Sequence, residues 1–240
     1  MIKLIACDVD GTLLEKGKKT LADGTLELIK SATDKGVIFA VASGRPYEDM
    51  KKLFRTVVGK LVFICHDGAL IIHNNTVLHK GVIQRRVVLD FCETAKIIGN
   101  TDVYASFREH SVKIIGKDAT DFATLGEEVI KLSFYSKNGT AALIDGIGNI
   151  HGSGLRISYF NGDWVEVIEK HCNKGEALSI VQRCFGVSTA QTAAFGNGDN
   201  DVPMLRKAGL KFATSDAAAA LLDEAEFITD NIFEEIEKIT

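Results

Sequence analysis

A chain of 240 residues, 46% hydrophobic and 25% charged, is long enough for one large or two modest domains and has the composition of a globular protein with a real core. A formal net charge of -4 argues against a general nucleic-acid binder, and no apolar stretch approaches the roughly 20 residues that span a bilayer. Five cysteines without a C-x-x-C pair, and a short N-terminal apolar run that passes straight into acidic residues, predict a cytoplasmic protein with reduced thiols and no signal peptide.

The first apolar run, residues 2–7, reads as a buried strand of a parallel sheet. Asp8-Val9-Asp10-Gly11 stands at its end, and in an open α/β sheet the carboxyl ends of the strands form the ligand crevice. At i and i+2, Asp8 and Asp10 point the same way if the strand persists that far. Two like charges so placed call for a cation or a shared proton, and oxygen ligands suit a hard divalent cation such as Mg²⁺. An ordinary Asp-Gly turn is the alternative.

A helix is predicted over 21–35 with Gly36 as its stop, then a second buried strand over 37–42. That order gives a right-handed crossover. Ser43-Gly44-Arg45-Pro46 follows, with a helix to about residue 58 and Pro46 at its first helical position. A helix N-terminus beside a hydroxyl and free N–H groups is a phosphate site; Ser43 as a simple N-cap is the alternative. The third strand, 61–65, leads into His66-Asp67-Gly68-Ala69, where Asp67 either faces the crevice or simply makes the turn, the turn being the preferred reading. An apolar run at 70–72 and a hairpin turn at Asn74-Asn75 come next.

From about 80 to 171 the rhythm becomes mixed. Helices are predicted over 85–98 and 140–147, strands over 103–107, 112–115, 129–135, 155–160 and 164–168, and a hairpin turn at Asn161-Gly162-Asp163. The stretch reads as an inserted α+β domain with an antiparallel sheet. After it, Lys174 opens a helix that runs to about Phe185. A lysine there is unfavourable for the helix dipole; indifference of an exposed charge is the common explanation, and an ammonium directed at an anion is the alternative. A strand over 192–195 then meets Gly196-Asn197-Gly198-Asp199-Asn200-Asp201, with Pro203 at the next helix start. Asp201 occupies the place of the third glycine of a dinucleotide fingerprint and would repel a pyrophosphate, which disfavours that reading. The tail is predicted as a strand at 210–213, a helix at 217–222, a strand at 226–228 and a helix from 231.

Four corners now stand in order: D-x-D-G-T at 8–12, S-G-R-P at 43–46, K-G-x-A-L at 174–178 and G-N-G-D-N-D at 196–201. Together they resemble the haloacid dehalogenase superfamily of phosphohydrolases, and within it the Cof-like subclass (IIB), whose cap is inserted between the second and third motifs. The resemblance implies a Rossmann-like parallel-sheet core, 1–79 and 172–240, with an α+β cap at 80–171. It implies that Asp8 is a nucleophile that forms an aspartyl-phosphate and that Asp10 is the general acid/base. Ser43, Gly44, Arg45, Lys174 and Asn200 would bind the phosphoryl group. Asp8, Asp10 through its main-chain carbonyl, Asn197 and Asp201 would hold Mg²⁺. The implied activity is a Mg²⁺-dependent phosphatase for a small phosphorylated metabolite such as a sugar phosphate, as a monomer or small homo-oligomer without nucleic-acid or membrane partners. A phosphomutase with the same intermediate and a non-catalytic phosphometabolite-binding protein are the alternatives.

Two residues depart from the family pattern. Asn197 stands where the last motif, usually G-D-x-x-N-D, has its first Asp, which predicts weaker Mg²⁺ binding with Asp201 as main acidic ligand and Asp199 as a possible substitute. Asp67 stands in a loop that normally reads N-G-A.

Overall fold

The computed structural model describes residues 1–136, 141–148, 154–160 and 162–240. They form two compact units, Met1–His79 with Asn173–Thr240, and Lys80–Cys172.

The first unit begins with β1 (Leu4–Asp8), α1 (Thr25–Asp34), β2 (Ile38–Ala42), α2 (Tyr47–Leu53), β3 (Leu61–Cys65), β4 (Leu70–His73) and β5 (Thr76–Lys80). The second holds α3 (Arg85–Ile98), β6 (Thr101–Ser106), β7 (Ser111–Ile115), β8 (Lys131–Ser136), α4 (Ala141–Gly148), β9 (Leu155–Phe160) and β10 (Trp164–Glu169). The first unit resumes with α5 (Lys174–Phe185), β11 (Thr192–Gly196), α6 (Val202–Leu205), β12 (Leu210–Thr214), α7 (Ala219–Glu224), β13 (Phe227–Thr229) and α8 (Ile232–Ile239).

The large sheet runs β13-β12-β11-β1-β2-β3-β4-β5. It is parallel from β13 to β3, and β4 joins antiparallel at one side. Its inner strands are buried on both faces, so they read as unbroken apolar runs. Leu4, Ala6, Ala40, Ala42, Val62 and Ile64 pack with Leu178 and Val181 of α5 and with Met204 and Leu205 of α6. On the other face Phe63 meets Tyr47 and Phe54 edge-on at 5.3 and 6.3 Å. Each such buried Leu, Ile or Phe contributes about 1.5–3 kcal/mol. The register fixes the level of the strand ends: Asp8 lies opposite Ala42, Cys7 opposite Phe195 and Ala42 opposite Ile64. The corners that begin at Asp8, Ser43, His66 and Gly196 therefore open at one end of the sheet.

The first two helices differ from the prediction at their borders. Helix α1 starts four residues later than expected, because Gly24 takes a left-handed φ of +84° as its N-cap and leaves Leu21 in the loop. Pro46 is the N-cap of α2, with an extended ψ of 156°, not its first helical residue. That helix also ends at Leu53, well before residue 58, as Phe54 leaves it to bury fully against Phe63. Cys7 of β1 and Cys65 of β3 are buried.

The second unit has an antiparallel sheet ordered β7-β6-β8-β10-β9. Helix α3 buries Val88, Phe91, Cys92 and Ala95, spaced for one helical face, and Phe91 meets Phe134 at 5.7 Å. Val129 forms an isolated bridge with Ile83 instead of starting β8. Thr140 of the predicted helix and Asn161 of the predicted hairpin turn lie outside the described residues. No helix among the described residues is long and apolar enough to cross a membrane.

Candidate active site

Strand β1 ends at Asp8 and does not carry on to Asp10. Gly11, at φ +92°, turns the chain, and its N–H donates to the Leu14 carbonyl at 2.6 Å. The two carboxylates consequently face different partners instead of pointing the same way.

Asp8 is buried. Its Oδ1 accepts from Lys174 Nζ at 2.6 Å and its Oδ2 from Thr12 Oγ1 at 3.1 Å. The same Lys174 ammonium donates to Asp201 Oδ1 at 2.6 Å. Asn173 caps α5 by accepting from the Glu176 N–H at 2.9 Å, and this sets Lys174 as the first helical residue. The Lys174 and Asp201 side chains have no solvent exposure and that of Asp8 has 6%. Asp201 is held from behind, since its Oδ2 accepts from the N–H groups of Asn197 and Gly198, both at 3.0 Å. Burial pushes the Asp8 carboxyl up to about 7 against the pull of Lys174, with Asp201 adding to the rise. Burial opposes the charge on Lys174, but Asp201, Asp8 and then Asp67 outweigh it and hold the ammonium protonated.

Asp10 belongs to the second corner. Its Oδ2 accepts from Ser43 Oγ at 3.1 Å and from Arg45 Nε at 2.8 Å, and its Oδ1 accepts from Arg45 Nη2 at 2.5 Å. Burial works to raise the Asp10 carboxyl, but the hydrogen bonds and charge of Arg45, then Ser43, carry it below its ordinary value. The Ser43 hydroxyl also accepts from the Arg45 N–H at 3.1 Å, so Ser43 organises its own loop and is not the N-cap of α2. Arg45, expected to face a phosphoryl group, is here the partner of Asp10.

The corner after β11 completes the site. The Asn197 side chain lies over Gly11, so closely that a Cβ there would come within 1.8 Å of Nδ2. Asn200 Nδ2 donates to Asp67 Oδ1 at 2.9 Å. Asp199 is exposed, and its side chain makes no hydrogen bond or ion pair among those described. Asp67 does form the expected turn, yet its side chain also reaches Asn200. Asp67 and Thr12 are the two residues that motif reading did not assign to the site. An acid between two buried strands and a hydroxyl four residues beyond Asp8 were the available signals.

Among the described residues no three His, Cys, Asp or Glu side chains converge into a metal-holding group. The donors at this corner are oxygens, namely the Asp8 and Asp201 carboxylates, the Asn197 amide and main-chain carbonyls, which suits a hard divalent cation. Added positive charge would also relieve the burial strain on ionised Asp8. The Asp10 carboxylate is engaged by Ser43 and Arg45, which leaves its main-chain carbonyl as its contribution.

Known proteins resemble the chain over nearly its whole length. A family model described as haloacid dehalogenase-like hydrolase matches residues 5–235. A 5-amino-6-(5-phospho-D-ribitylamino)uracil phosphatase of Bacillus subtilis is 27% identical over 243 residues, covering 91% of this chain and 88% of its own. A phosphatase of the same name from Escherichia coli is 23% identical over 247 residues, covering 94% and 90%. Among solved structures, a haloacid dehalogenase-like hydrolase from Bacteroides thetaiotaomicron superposes with a TM-score of 0.88 at 21% identity over all of both chains. The subclass IIB sugar phosphatase BT4131 does so with a TM-score of 0.78 at 20% identity, covering 99% of this chain and 100% of its own.

Proposed function

The chain belongs to the haloacid dehalogenase-like hydrolase family, and on that premise we propose that it is a Mg²⁺-dependent phosphatase that works through an aspartyl-phosphate on Asp8. The observation that carries this reading is the buried Asp8 carboxylate, oriented by Lys174 and Thr12 at the strand end it shares with Ser43 and Asp10. A carboxylate nucleophile divides a hard hydrolysis into two easier displacements, and the rest of phosphoryl transfer is positioning and charge stabilisation.

In the first displacement an Asp8 oxygen attacks phosphorus and the bond to the leaving oxygen breaks. Asp10 gives that oxygen its proton. In the second, water attacks the phosphorus of the aspartyl-phosphate and passes its proton to Asp10. The acyl–phosphate P–O bond breaks, the Asp8 carboxylate returns and inorganic phosphate leaves. Asp10 can donate only after Arg45 lets go, and an incoming phosphoryl dianion competes for the same guanidinium. Ser43, Gly44, Arg45, Lys174 and Asn200 bind and orient the phosphoryl oxygens. Asp8, the Asp10 carbonyl, Asn197 and Asp201 would hold Mg²⁺, which when bound supplies charge neutralisation for those oxygens.

The substrate class is a small metabolite phosphorylated on a sugar or polyol alcohol, as the names of the Bacillus subtilis relative and of BT4131 suggest. A substrate-selecting role for the second unit goes with the same reading. The test is phosphate release from a panel of phosphomonoesters with and without Mg²⁺, with Asp8→Asn alongside. Mg²⁺-dependent release that disappears in Asp8→Asn is expected. Folded wild-type protein that releases phosphate from no panel member would overturn the reading.

A further inference from the structure

The turn after β3 does more than reverse the chain. Asp67 within it is 7% exposed and takes a left-handed φ of +53°. Asp and Asn are the residues other than glycine that take this conformation most readily, so the turn accounts for the backbone at Asp67 but not for where its carboxylate points. Its N–H donates to the Ser43 carbonyl at 3.1 Å, and the His66 N–H donates to the Arg45 carbonyl at 3.1 Å. The Ser43–Arg45 corner thus hangs on this turn by two main-chain hydrogen bonds.

The Asp67 side chain points to a third place. Oδ1 accepts from Asn200 Nδ2 at 2.9 Å. A Cβ on Gly44 would stand 3.1 Å from Asp67 Oδ2, so the carboxylate lies against bare Gly44 backbone, and glycine is what admits it. Asp67 is also one of the three carboxylates whose charge acts on Lys174. One residue therefore touches the corner after β2 and the corner after β11 and lies in the field of the central ammonium. An ionised carboxylate only accepts hydrogen bonds. The contact accordingly fixes which end of the Asn200 amide faces Asp67, and turns its carbonyl oxygen the other way.

We propose that Asp67 is a positioning residue of the phosphoryl site, which sets the distance between the Ser43–Arg45 corner and Asn200 and locks the Asn200 amide in one orientation. This rests on the phosphatase reading above, because it is the phosphoryl group that both corners would hold. It acts through its neighbours and transfers no proton.

The experiment is a double-mutant cycle of Asp67→Ala and Asn200→Ala, read by calorimetric binding of inorganic phosphate and by kcat and KM on the best panel ester, with melting temperatures recorded. Asp67→Ala should weaken phosphate binding and raise KM by about tenfold each while kcat falls less than about threefold, the scale of one lost hydrogen bond to a charged group. Asn200→Ala, which also removes a phosphoryl-binding amide, should cost at least as much, and the double variant should be no worse than Asn200→Ala alone, since Asp67 acts on the phosphoryl group through Asn200. Asp67→Asn, whose amide oxygen can still accept from Asn200, should recover most of the binding. Singles whose effects multiply in the double variant, or phosphate binding within twofold of wild type in Asp67→Ala, would overturn the proposal alone. Wild-type protein that neither binds nor releases phosphate would overturn it together with the phosphatase reading.

Discussion

Asp8 and Asp10 stand two residues apart, and each faces one cation, yet the two pairs obey different physics. The Asp8 and Lys174 side chains are 6% and 0% exposed; those of Asp10 and Arg45 are 46% and 33%. Burial lifts the Asp8 carboxyl to about 7 although Lys174 sits 2.6 Å away. At Asp10 the upward push of burial is overcome by Arg45, and the carboxyl falls below its ordinary value. A buried pair cannot lose one partner cheaply, because the other is left as an uncompensated charge. A half-solvated pair is weak and can exchange partners. The corner that carries Asp8 is thus rigid, and the corner that carries Asp10, the proposed acid/base, is open to exchange.

The contrast breaks most visibly at the lysine. Lys174→Met leaves Asp8 and Asp201 facing each other with no cation between them. Urea denaturation should show a loss of about 3–5 kcal/mol, partly recovered when Asp201→Asn is added. A loss below about 1 kcal/mol would mean that the buried pair behaves like a surface one. A smaller effect is expected from Asn197→Asp, which adds a carboxylate to the corner that carries Asp8. The Mg²⁺ concentration for half-maximal activity should fall by about tenfold, as ligand charge tunes divalent-cation affinity. An unchanged or higher requirement would remove Asn197 from the cation's surroundings.

Arg45→Gln should have the smallest effect on stability, under about 1 kcal/mol, because its pair is half-solvated. Its signature is in the pH profile. Burial raises the Asp10 carboxyl and Arg45 lowers it, so without Arg45 its value rises. A larger fraction of Asp10 then carries the proton at any given pH. The alkaline limb of kcat/KM, which reports the acid in the free enzyme, should move to higher pH. A limb that stays in place would show that Asp10 is not the acid.

Much of this site was legible before folding. Strands β1, β2 and β11 are continuous apolar runs because both faces of the sheet are covered, and each run stops where polar or glycine residues begin. Asp8, Ser43 and Asp201 were read from those stops, and Lys174 from its place in the first turn of α5. The helix borders were less legible, since Gly24 and the burial of Phe54 override the local pattern. Asp67 was read as a turn residue in preference to a crevice-facing one. That reading was incomplete because its partner, Asn200, lies 133 residues away, and nothing local distinguishes a turn aspartate in solvent from one wedged against a glycine.

The amino-acid order by itself determined the strand ends, their parallel arrangement and the kind of residue at each, because hydrophobic runs, glycines and prolines act within a few residues of chain. It also determined that an unusual lysine opens α5. Only the tertiary structure decided that this lysine is fully buried between Asp8 and Asp201, 166 and 27 residues away, and that Arg45 grips Asp10. Pairing and burial depend on the register of β1 against β2 and β11, and electrostatic strength depends on how much water that register leaves behind.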